Sequence, residues 1–180
     1  MRRFQMIASA IAAIVLTAPA FARECSATRL TGSTPQGVLV TATSAVAVSL
    51  MEGRAYQLLV ADYELSLDEF RAFLPLAEPP RPGVGWGVDI SVYGSADLRA
   101  FSPLEVGQVI EAGLPFGERQ LHVTAFGPNW FAHDGSGAQG AVILTAVGDM
   151  LCGTIDYSDG EKWIRGTFAA PTKQEFSLLP

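Results

Sequence analysis

The sequence predicts a mainly β protein: an antiparallel β-sandwich or, as the alternative, a partly open β-barrel. Three observations carry this expectation. Short segments rich in β-branched and aromatic residues alternate with turns that draw on 18 glycines and 11 prolines. Only one stretch, residues 66–74, has the start signal and spacing of a helix. Residues 141–170 read as a three-stranded antiparallel meander with two tight turns. Strands do not alternate with long helices, and neither a repeat nor a Gly-rich phosphate loop is present.

Taken in order, Met1-Arg2-Arg3 gives a positive start, Met6 to Leu16 a short apolar run, and Ala20-Phe21-Ala22 a small-residue cleavage motif. Together they predict a secretory signal peptide, residues 1–22, cleaved before Arg23. The run is shorter than the roughly 20 apolar residues a spanning helix needs. Arg23-Glu24 separates it from Cys25, which argues against a lipid anchor. Residues 23–180 are then expected to form one β-rich domain, in the periplasm or outside the cell.

The formal net charge is −6, and the leader holds Arg2 and Arg3 but no acidic residue, so the mature chain stands at −8. That balance argues against nucleic acid as a partner and against anionic membrane surfaces. No later segment is apolar enough to insert in a bilayer after cleavage. Both cysteines lie beyond the leader, so an oxidising compartment predicts a Cys25–Cys152 disulfide. Two free thiols are the competing reading.

Ser26 to Gln36 reads as a loosely held loop. Val38 to Met51 is β-branched without a strong break, so it is one long bent strand or two strands meeting near Thr43-Ser44. Ala55 to Leu65 is apolar on both faces early on, as expected of a central strand, and its Asp62 and Glu64 face solvent. Ser66 and Glu69 form a capping box, with Leu67, Phe70 and Leu74 on one helical face and Pro75 as the stop. This short helix is expected to plug an edge of the core.

Residues 78–85 form a Pro/Gly-rich surface loop. Trp86 to Tyr93 alternates, Val88, Ile90 and Val92 inward against Asp89, Ser91 and Tyr93 towards solvent. Residues 95–113 are ambiguous between strand and helical turn. Gln120 to Phe126 alternates again, with His122, Thr124 and Phe126 outward and His122 solvated.

In the meander, two-residue turns at Gly148-Asp149 and Asp159-Gly160 place Val142, Ile155 and Ile164 in one row. The next rows are Leu144, Gly153, Gly166 and then Ala146, Leu151, Phe168, leaving a glycine slot for a core side chain of the facing sheet. The opposite face carries Thr154, Arg165, Cys152, Asp156 and Trp163, with Trp163 opposite Asp156 and Arg165 diagonal to it. Gly140, Val142 and Leu144-Thr145, with Gly166-Thr167-Phe168, resemble the closing hairpins of many exported bacterial β-sandwich domains. The likeness reflects turn and packing rules and implies no functional residue.

The candidate site residues are Trp130, His133, Asp134, Trp163 and Arg165. The first three lie in the Gly-rich stretch 127–140, read as a loop whose aromatics either meet a ligand or anchor the loop. Trp163, beside Asp156 and Arg165, either stacks on a sugar ring or peptide side chain, or packs under the N-terminal segment held by Cys25. No metal is expected: His122 and His133 stand in no zinc spacing, and Asp134-Gly135-Ser136 lacks the alternating ligands of a calcium loop. No cofactor motif and no nucleophile–base constellation is present. The sequence therefore predicts an exported binding module for a protein, peptide or glycan surface, without catalysis. The alternatives are a hydrolase or lyase using His133 and Asp134, or a purely structural envelope component.

Overall fold

The computed structural model describes residues 25–68, 70, 86–93, 100–115, 118–127, 130–133 and 137–175. The predicted signal peptide, most of the predicted helix, the 78–85 loop and Asp134 lie outside them. The protein is mainly β. Its strands are β1 (Arg29–Ser33), β2 (Leu39–Ala42), β3 (Ser44–Leu50), β4 (Ala55–Ala61), β5 (Gly87–Tyr93), β6 (Val109–Glu111), β7 (Gln120–Gly127), β8 (Trp130–Ala132), β9 (Gln139–Ala146), β10 (Met150–Ser158) and β11 (Trp163–Glu175).

They pair in the order β6-β9-β10-β11-β3-β4-β5-β7-β8, with β1 added to β11 and β2 to β1. All these pairings are antiparallel except β11 with β3, where Thr172–Glu175 run parallel to Ala47–Leu50. The 13-residue β11 thus serves two layers: its first part pairs with β10 and β1, its last part with β3. The stretch 39–50 changes layer too, breaking at Thr43 into β2 and β3, and the Thr43 amide donates to the Ala61 carbonyl (3.1 Å). Strands that bend from one sheet into the other make the corners of a sandwich.

Layer one is β6, β9, β10, β11, β1 and β2; layer two is the end of β11 with β3, β4, β5, β7 and β8. Their inward side chains meet in one core, including Leu30, Val142, Ile155 and Phe168 from the first and Leu58, Val60, Ile90 and Val123 from the second. Beyond the shared β11, the isolated bridge Ala112 to Leu121 also links the layers on the β6 side. That is a contact point and not a ladder, so the fold is sandwich-like.

Layer two is buried on its outer face as well. Val46, Val48, Leu59 and Phe126 pack with Phe70, flanked by Leu65 and Leu67. The Phe70 amide donates to the Ser66 carbonyl (3.2 Å), one turn's worth of helical bonding. Lys173 Nζ donates to the Leu67 (2.8 Å) and Phe70 carbonyls, tying this turn to β11. The cover corrects one expectation: Ser91, expected towards solvent, is 5% exposed, and Thr124 and Phe126 are buried beside it. The Phe126 ring occupies the place a Gly87 side chain would take. His122 is half-buried, whereas Asp62 and Glu64 are exposed as expected. Asp62 Oδ1 accepts the Trp86 amide at 2.7 Å.

The meander forms, with one change of register. Asp159 N–H donates to the Lys162 carbonyl (3.1 Å), so the turn residues are Gly160-Glu161 and not Asp159-Gly160. Gly160 has φ +85°, as the first central position of a type II′ turn requires. Asp159 acts from the position before: its Oδ1 accepts the amides of Glu161 (3.1 Å) and Lys162 (2.9 Å). Moving a turn by one residue moves the register by two, so every residue keeps its face while its neighbour changes.

Ile155 therefore lies opposite Gly166, Gly153 opposite Phe168, Asp156 opposite Arg165, and Ser158 opposite Trp163. The expected slot is absent because the two glycines do not face each other. The Phe168 ring, from the same sheet, comes within 2.7 Å of where a Gly153 Cβ would stand. In the first hairpin Val142 and Leu144 pair with Ile155 and Gly153 as expected, until a bulge at Cys152/Gly153 sets Ala146 opposite Cys152.

Candidate functional site

The first layer has an outer face that the alternation of its strands defines. With Ile110, Val142, Ile155 and Ile164 inward, the residues between them point outward. Register aligns them in rows. The first is Val109, Ile143, Thr154, Thr167 and Arg29; the second is Glu111, Ala141, Asp156, Arg165, Thr31 and Thr41. The third runs Gln139, Ser158, Trp163, Ser33 and Leu39.

Two candidate residues sit together at its centre. Arg165 Nε donates to Asp156 Oδ1 at 2.9 Å, with the side chains 62% and 72% exposed. The Arg165 guanidinium lies 5.5 Å from the centre of the half-buried Trp163 ring, a cation–π distance. An indole, a guanidinium and a carboxylate thus stand side by side, with the hydroxyls of Thr154 and Ser158 in the neighbouring positions. Such a set stacks and hydrogen-bonds.

The N-terminal segment passes further along β11, at Thr167 and Ala169. Thr167 Oγ1 donates to the Ala27 carbonyl (3.1 Å), and Thr28 Oγ1 exchanges hydrogen bonds with the Ala169 backbone (both 3.0 Å). Cys25 is disulfide-bonded to Cys152, with 5.7 Å between Cα atoms. The segment therefore covers Cys152, which is buried.

The stretch 127–140, expected to be a loop, is partly strand. Trp130–Ala132 pair with Ala125–Gly127 as the edge strand β8, and β9 begins already at Gln139. Aromatic residues favour an extended backbone, and the free edge of β7 supplies the partner. His133 follows β8 with an exposed side chain, its Nδ1 3.2 Å from Thr124 Oγ1. Its carbonyl accepts a hydrogen bond from Lys162 Nζ (2.6 Å). Both contacts brace the segment against β7 and the β10–β11 turn.

Lys162 is the residue that sequence reasoning missed. It is 1% exposed, and Nζ also pairs with Asp159 Oδ2, which accepts from Tyr157 Oη at 3.1 Å. The ammonium lies 5.8 Å from the Tyr157 ring centre. A signal for it did exist: Lys162 shares the parity of Ile164, so a charged residue had to point inward. This cluster closes one end of the core and links His133 to the turn that leads into Trp163.

Elsewhere, Arg119 Nη2 donates to the carbonyls of Arg54 (3.2 Å) and Ser102 (2.5 Å), with its guanidinium 4.9 Å from the Phe101 ring centre. Burial lowers its pKa from the ordinary guanidinium value. It ties the 100–104 segment, where Leu104 donates to the Gly53 carbonyl (2.8 Å), to the β3–β4 turn. Among the described residues, no group of three or more His, Cys, Asp and Glu could hold a metal ion. No helix among them is long and apolar enough to cross a membrane.

The chain matches no known protein family, no curated protein and no solved structure.

Proposed function

We propose that this protein is an exported β-sandwich binding module whose ligand face is the outer surface of the first layer, centred on Trp163 and Arg165. The carrying observation is the half-buried Trp163 beside the exposed Arg165–Asp156 pair on a six-stranded face. Aromatic and Arg side chains are the commonest anchors of binding surfaces. Export to the periplasm or beyond is supported by the leader pattern and by the Cys25–Cys152 disulfide. His133, with its ring held by Thr124 and its carbonyl by Lys162, serves as a brace in this reading.

The test is capture from the envelope fraction of the protein's own host by the disulfide-bonded chain. Specific recovery of a partner, lost with Trp163→Ala or Arg165→Ala at unchanged circular dichroism, is the expected result. Recovery of nothing above a denatured control sinks the reading.

A further inference from the structure

A groove of about 600 Å³ runs along β9 between β6 and β10. Its lining includes Glu111, Gln139, Ala141, Ile143, Thr154 and Asp156. We propose that this groove takes an extended segment of a partner protein that carries a basic side chain two positions from an aliphatic one. The proposal rests on the outer face being the ligand face and adds the kind of partner it fits.

Size and charge at the groove point to this ligand. Ala141, a small side chain, lies in register between Glu111 on one side and Asp156 on the other. Two interstrand steps separate those acidic residues, about 10 Å between Cα atoms. A lysine or arginine laid over Ala141 has its aliphatic stem on the alanine and its charge between two carboxylates. Among the described residues that line the groove, none is a lysine or arginine. Arg165 meets Asp156 from the far side, in an exposed pair of the sort worth under about 1 kcal/mol. Asp156 therefore remains open to a second cation, and the net charge of −6 draws a basic partner from a distance.

One end of the groove is apolar. Ile143 is 45% exposed and lies directly opposite Val109, 52% exposed, with Val106, 62% exposed, just before β6. Ala141 and Ile143 stand two residues apart on one strand, roughly 7 Å. Residues i and i+2 of an extended ligand have the same spacing and the same facing. A basic side chain over Ala141 thus sets an aliphatic one over Ile143.

The probe is a fluorescein-labelled octapeptide alternating lysine, threonine, valine and threonine, with a counterpart bearing glutamate for lysine. Anisotropy titration of the disulfide-bonded chain is expected to show binding of the lysine peptide alone, weakening severalfold between low and high salt. Amide shifts should concentrate at Glu111, Ala141, Ile143 and Asp156. Glu111→Lys should weaken binding by about tenfold or more, because a like charge replaces an attractive one. Ile143→Asp, at the other end of the groove, should weaken it as well.

Equal binding of both peptides, binding of neither, or shifts away from β9 would overturn the proposal, as would a neutral oligosaccharide shifting those amides when the peptide does not. If the peptides fail while Trp163-dependent capture persists, the groove assignment falls and the ligand-face reading stands. If capture fails as well, both fall.

Discussion

Removing the Cys25–Cys152 crosslink tests the energetics of this fold most directly. The perturbation is the double substitution Cys25→Ala with Cys152→Ala. The crosslink spans a sequence separation of 127. In the chain-entropy description, closing a loop of that size removes about 17 cal/mol/K from the unfolded chain, or about 5 kcal/mol at 25 °C. The native state should be nearly untouched. β1 keeps its ladder to β11, and Thr28 and Thr167 keep their hydrogen bonds around the N-terminal segment. The loss therefore falls on the unfolded ensemble. In a urea titration with a slope of about 2 kcal/mol/M, the midpoint should drop by about 2.5 M. A drop under about 0.5 M at unchanged slope, with native circular dichroism, would refute the reasoning. Alkylation of two thiols in the unreduced wild-type protein would do so more bluntly.

Other substitutions probe the interior and the face. Lys162→Met leaves the Asp159 carboxylate buried without its ammonium and should cost about 3 to 5 kcal/mol; adding Asp159→Asn should then cost far less than it does alone, which a double-mutant cycle in urea reads. Gly153→Ala pushes a methyl against the Ile143 carbonyl and the Phe168 ring, an overpacking worth about 1 to 3 kcal/mol; a neutral result would mean the register differs. Gly166→Ala combines a φ of +135° with a clash against the Arg29 carbonyl, so hydrogen exchange along β1 should speed up well before global unfolding. Arg165→Ala should change stability by less than about 1 kcal/mol, since both partners of its ion pair are exposed, and a larger loss in thermal melts would point to an unseen structural role.

The strands that alternate cleanly were legible because period two is a local property. Val88, Ile90 and Val92, or Val142 and Leu144, face the core as their spacing demands. Turn position was less legible. Asp159-Gly160 and Gly160-Glu161 both satisfy hairpin chemistry, and the Asp159 side chain decides by bonding two amides beyond it. Solvation was misjudged where small polar residues met distant cover. Ser91 and Thr124 look like surface residues until Leu65, Leu67, Phe70 and Phe126 close over layer two. β8 is three residues long in a glycine-rich stretch, and its backbone becomes a strand only beside β7. As for the site, Trp163 and Arg165 share a face by simple parity, so they could be paired on paper. The groove could not, because it exists only once the distant β6 lies against β9.

The double membership of β11 has a consequence for the order in which the molecule can assemble. β1 and β3 pair locally with β2 and β4 on one edge, while their other edges wait for residues near the far end of the described chain: β1 for Arg165 and its neighbours, β3 for Thr172 to Glu175. A chain delivered N-terminus first, whether from a ribosome or through a membrane pore, presents these two edges long before β11 exists to pair with them. Such non-local pairing makes folding slow and late. The second layer can pair from β3 through β8 beforehand, and the two layers are joined along β11 only when that strand arrives.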